Sequence, residues 1–182
     1  MKKLNNKGFT LVELLAVIVV LAIVMGLAVV AITGVLDNAR KATFVADAKS
    51  FLEGAHSLVN ADDMNSMLNG EDSSKYKPIC NANVNVVYIP IGAVKLQQGG
   101  EKSPYGNVYL GKKTGDTVVP VKTTAPAGVS YIKVESSKAG AEGCTYTFGI
   151  FLSDGVYKID SITDNVSENN ITTANVKTVS SN

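Results

Sequence analysis

The chain has 182 residues, room for one domain beyond a terminal segment, and its 17 Lys+Arg against 16 Asp+Glu leave a formal charge of +1. That balance implies no basic surface and gives no support for bulk binding to nucleic acid. A single histidine, His56, and two cysteines without zinc spacing leave no set of parts for nucleophilic catalysis or a structural metal.

The first element is a basic head, Lys2, Lys3 and Lys7, followed by an apolar run. From Leu14 to Ile32 every residue is apolar or glycine; Thr33 and Gly34 interrupt weakly, Val35 and Leu36 extend the run, and Asp37 ends it. Such a run is long enough to cross a hydrocarbon core of about 30 Å as a helix. It exceeds the roughly 7–15 apolar residues of a secretory signal. A helix over 9–36 would be about 42 Å long at about 1.5 Å per residue. Glu13 stands at the head of the run, where an ionised carboxylate costs about 3 kcal/mol or more if carried into lipid. Thr10-x-x-Glu13 also has the spacing of a capping box, in which both side chains satisfy early backbone N–H groups.

The stretch Lys7-Gly8-Phe9-Thr10-Leu11-Val12-Glu13, with the apolar run behind it, resembles the class III signal of type IV pilins and pseudopilins. The resemblance covers roughly the first 36 residues and is architectural beyond them. It implies that a leader, residues 1–8, is cut after Gly8 by a prepilin peptidase. It also implies that the new terminal Phe9 is N-methylated and that Glu13, fifth in the mature chain, serves assembly. Many Gram-negative members carry a proline in the middle of this helix; here the first proline is Pro78. Gly26 and Gly34 are then the weak points, each costing about 1 kcal/mol relative to alanine.

Loss of Lys2, Lys3 and Lys7 with the leader turns the charge of +1 into −2. The leader lysines favour a cytoplasmic N-terminus by the positive-inside rule, while Arg40 and Lys41 beyond the span weaken the bias. The body is then outside the cytoplasm. There Cys80 and Cys144 are expected to form a disulfide, the one connectivity two cysteines allow.

Residues 9–36 read as the transmembrane or filament-core helix and 37–60 as its amphipathic continuation. Phe44, Ala48, Phe51, Leu52, Ala55, Leu58 and Val59 recur at steps of three and four on one face. Asp37 with Lys41 and Lys49 with Glu53 are opposite charges at i,i+4. Asn60 is an early stop signal and Asn69-Gly70 a late one. The polar stretch 62–78 reads as the connection to a sheet, within an extracytoplasmic β domain over 61–182. It begins a calcium-loop pattern at Asp63-x-Asn65 that Met67 breaks.

From Val84 onward the texture is β-rich, with strands expected over 84–91, 107–110, 117–122, 129–135, 144–153 and 156–161. A long loop covers 98–106, and a weak edge strand is possible over 171–179. Asp154-Gly155 reads as a two-residue hairpin turn. Tyr146, Phe148 and Ile150 share one face before it, and Tyr157, Ile159 and Ser161 alternate after it. Gly106 to Lys113 nearly matches a phosphate loop but puts lysine where a hydroxyl is needed. Two Asn-x-Ser/Thr sequons, at Asn165 and Asn170, carry little weight in a bacterial setting.

The expected fold is therefore α+β and pilin-like: one long N-terminal helix, its apolar half projecting and its second half packed on an antiparallel sheet. The favoured function is a structural subunit of a type IV pilus or pilus-like filament used for adhesion, motility or aggregation. The alternatives are a pseudopilin of a type II secretion or competence DNA-uptake system and a monomeric membrane-tethered binding module. No enzyme, cofactor or metal is expected. By resemblance the partners are copies of the chain and other pilins, the prepilin peptidase, an assembly ATPase and a platform protein. The chain would be single-pass in the plasma membrane before assembly and extracellular after it.

Overall fold

A computed structural model describes residues 10–69, 75–79, 85–96, 100–112, 124–138 and 143–179. Among the described residues one helix, α1 (Leu11–Asn69), precedes five strands: β1 (Asn85–Pro90), β2 (Tyr131–Lys138), β3 (Cys144–Ser153), β4 (Tyr157–Asp160) and β5 (Lys177–Thr178). The strands lie side by side in chain order, and each neighbouring pair is antiparallel. The architecture is the expected α+β, pilin-like one. The chain divides into two compact units, Met1–Ala39 and Arg40–Asn182.

The described part of the first unit is helical from Leu11 onward, and its large apolar side chains are exposed; Leu11 is 79% and Leu27 73% accessible. The helix satisfies its own backbone hydrogen bonds, so a run rich in Val and Ile holds this form wherever water is excluded.

In the second unit α1 carries the stripe its spacing predicts. Phe44, Ala48, Phe51, Leu52, Ala55 and Val59 are buried in one cluster with the inner face of the sheet. That face is built from cross-strand rows. Ile89 pairs with Ile132 and Ile132 with Ile150; Val87 pairs with Val134 and Val134 with Phe148. All six are buried, each contributing about 1.5–3 kcal/mol of transfer free energy. Leu58, on the predicted stripe, is only partly buried.

Several expectations are corrected in detail. The helix ignores Asn60 and runs through Asp62 and Asp63 to Asn69, since neither glycine nor proline intervenes. The Asp62 carboxylate instead accepts the backbone N–H groups of Tyr76 at 2.7 Å and Lys77 at 3.1 Å, tying the following segment to the helix flank. Lys77 also pairs with Asp63. Residues 107–110 form no strand. Glycines at positive φ, Gly106 (φ 90) and Gly111 (φ 79), bracket them with turns, leaving room only for an isolated bridge between Lys102 and Val108. The strand expected over 117–122 lies outside the described residues.

The hairpin corner is shifted by one residue. Ser153 faces Lys158, so the central residues are Gly155 and Val156, with Gly155 at φ 88. Asp154 flanks the corner, its Oδ1 accepting the N–H groups of Val156 at 2.9 Å and Tyr157 at 2.7 Å. The resulting register differs by two residues from the expected one, which preserves side-chain parity. Ile159 and Ser161 are accordingly buried as the alternation predicts. The C-terminal edge strand shortens to Lys177–Thr178, preceded by 3₁₀ turns at Glu168–Asn170 and Thr173–Asn175. Its segment is anchored by buried Ile171 and Val176 and by Lys177 Nζ on Asp164 at 2.7 Å.

Candidate functional site

Thr10 and Glu13 close the head of α1 reciprocally. The Thr10 backbone N–H and hydroxyl both donate to Glu13 Oε2 at 2.9 Å, and the Glu13 N–H donates to Thr10 Oγ1 at 3.3 Å. This is the capping box read from the sequence. The cap meets a local need, because the first turn of any helix leaves N–H groups without an intrahelical acceptor. Behind it runs a helix long and apolar enough to cross a membrane. An exposed apolar surface of this size is what lipid or other apolar helices would cover. Of the other predicted site residues, Gly8, Phe9 and Cys80 lie outside the described residues, and Cys144 opens β3.

Residues 3–29 match the family model of the prokaryotic N-terminal methylation motif. The chain carries the class III signal of type IV pilins. The motif supports a protein of pilin or pseudopilin type, and the apolar helix that follows fits a membrane anchor. No curated protein and no solved structure matches the chain.

The second unit holds polar contacts that sequence reasoning missed. Tyr109 is buried, packed edge-on against Phe44 and Phe51 at ring distances of 5.5 and 5.8 Å, and its hydroxyl donates to Asp47 Oδ2 at 2.7 Å. Burial pushes the Tyr109 hydroxyl far above its ordinary value, and the Asp47 carboxylate pushes it further. Burial likewise raises the Asp47 carboxyl, opposed by the Tyr109 hydrogen bond. Asp47 lies three residues after Phe44 and four before Phe51, a polar residue on an apolar stripe, which was the available signal. The same loop is fastened to the β3–β4 corner, where the Ser103 hydroxyl donates to Asp154 Oδ2 at 2.6 Å.

These contacts fix a loop to a helix and a hairpin. The near-match to a phosphate loop is absorbed here, since its central Tyr109 is in the core and Lys112 lies over the Phe51 ring at 5.4 Å. His56 is half-buried, its ring tilted by 32° against that of Phe148 at a centroid distance of 3.7 Å, with Nε2 2.8 Å from Glu168 Oε2. That contact ties α1 to the C-terminal segment. Among the described residues no group of three His, Cys, Asp or Glu side chains is placed to hold a metal ion.

Proposed function

We propose that the protein is a structural subunit of a type IV pilus or pilus-like filament. One observation carries this: the methylation motif stands at the head of a helix whose large apolar side chains are exposed. A helix of that kind is stable in a bilayer and equally stable when bundled with the same segment of other subunits, because either environment hides the same surface. Transfer between the two needs an external energy source, which by resemblance is a cytoplasmic ATPase acting through a membrane platform protein. In this reading the prepilin peptidase cuts between Gly8 and Phe9, and Phe9 is then methylated. Electron microscopy of sheared surface material probed for the chain, with mass spectrometry of its N-terminus, tests the proposal. Filaments containing a chain that begins at methylated Phe9 are expected. A surface chain that begins at Met1 and forms no filaments overturns it.

The body then lies outside the cytoplasm, and we propose a Cys80–Cys144 disulfide within it. No described cysteine is free, which supports the pairing. By the chain-entropy account a loop of about 65 residues contributes roughly 4 kcal/mol. Non-reducing peptide mapping should recover the crosslinked pair; two thiols that alkylate freely in native material would remove it.

A further inference from the structure

The outer face of the sheet, turned away from the helix, carries a groove of about 320 Å³. Its lining includes Lys133, Glu135, Thr147, Gly149, Ile162 and Asn165. We propose that this groove binds a neutral oligosaccharide.

The argument rests on what the lining can and cannot recognise. Lys133 Nζ and Glu135 Oε2 are 2.5 Å apart, so the ammonium and the carboxylate compensate each other. These are the only charged residues in the described lining, so within it neither an anionic nor a cationic ligand meets an unmatched charge. What remains is a mixed set of donors and acceptors, from the ion pair, the Thr147 hydroxyl and the Asn165 amide, suited to a molecule rich in hydroxyls. The volume lies at the lower end of small-molecule sites, which run from about 300 to 1,000 Å³.

Aromatic rings adjoin this polar set. Tyr88 pairs with Lys133 across β1 and β2, and Tyr131 with Phe151 across β2 and β3. Tyr88 and Tyr131 meet edge to face at 5.4 Å, and Tyr131 and Phe151 stack at 5.5 Å. Ring faces carry negative charge density, which suits the C–H faces of a sugar ring.

The wall is rigid. A Cβ on Gly149 would lie 2.7 Å from Ile162 Cγ1, so the missing side chain is what lets the turn after β4 close on the sheet. On that turn Asn165 takes φ 51, a left-handed conformation that asparagine tolerates better than most residues. Val166 N–H donates to the Ser161 carbonyl at 2.9 Å and holds the turn in place. Asn165 itself lines the groove.

The full-length chain in detergent, immobilised and probed with lactose, N-acetyllactosamine, maltotriose and chitotriose beside sialylated and sulfated counterparts, tests the site. Binding to at least one neutral member is expected. Asn165→Gly should weaken it about tenfold although glycine suits the backbone there, and Thr147→Val should do likewise while preserving strand propensity. Thermal midpoints of both variants should stay close to that of the parent, so a loss of binding reports the groove and not the fold. Binding to no member, binding to the charged members alone, or unchanged affinity in both variants would each overturn the proposal.

Discussion

Tyr109 and Asp47 show how one hydrogen bond can fasten a loop to a helix, and their energetics can be separated. Tyr109→Phe keeps the ring contacts with Phe44 and Phe51 but takes the donor from a half-buried carboxylate, which should cost about 1–2 kcal/mol in chemical denaturation. Asp47→Asn keeps an acceptor and removes the charge. Because burial raises the Asp47 carboxyl in the folded chain, the folded state binds that proton more tightly than the unfolded state. Its contribution to stability therefore falls as pH rises through the ordinary carboxylate value of about 3.9 toward the raised folded one. Asp47→Asn should match the parent in strongly acidic buffer and gain relative to it as pH rises through that window. Urea midpoints at several pH values check this; a variant that loses ground over the same window would show that the ionised carboxylate is a net stabiliser.

Among the elements, those set by periodicity are legible in the sequence and those set by tertiary contact are not. The stripe from Phe44 to Val59 announces itself because steps of three and four residues mark one helical face, and most of it is buried. Cys144–Ser153 is legible to its ends because alternating apolar residues are bounded by glycine and Asp-Gly. The loop holding Tyr109 has the Val-Tyr-Leu composition of a strand; what decides its form is the core pocket that receives Tyr109 and the two turns around it. The N-terminal cap is legible from Thr10-x-x-Glu13, whereas the sheet-face groove depends on a turn closing over Gly149, which no local pattern encodes. The hairpin corner offers a clean test. At φ 88 a Cβ added to Gly155 would meet no atom within 4 Å, so Gly155→Ala carries a conformational cost without a clash. We expect a loss of about 1–2 kcal/mol in stability. No loss in a urea titration would mean that the corner adopts another turn type.

For the molecule as a whole, the filament proposal raises the question of how a chain with an acid at the head of its apolar helix would both sit in a membrane and leave it. In a lone membrane-anchored subunit the carboxylate would lie near the interface, and it already accepts two hydrogen bonds from Thr10, so its cost is bounded. In a filament core water would be excluded and a cation would be needed. Cleavage after Gly8 would supply one, the Phe9 ammonium, four residues before Glu13 or about 6 Å along a helix. In the filament reading, Glu13 of one subunit pairs with the Phe9 ammonium of a neighbour. A buried ion pair roughly balances desolvation against attraction, so the pair sets axial register and orientation more than it adds stability. Glu13→Gln keeps the shape of the side chain and an oxygen to accept from Thr10, and removes the charge. Anchoring and cleavage should persist while filament yield falls sharply. Filament yield measured beside the ratio of mature chain to precursor in membranes separates the two steps. A fall in cleavage would place Glu13 in peptidase recognition, and normal filaments from the variant would leave it as a helix cap alone.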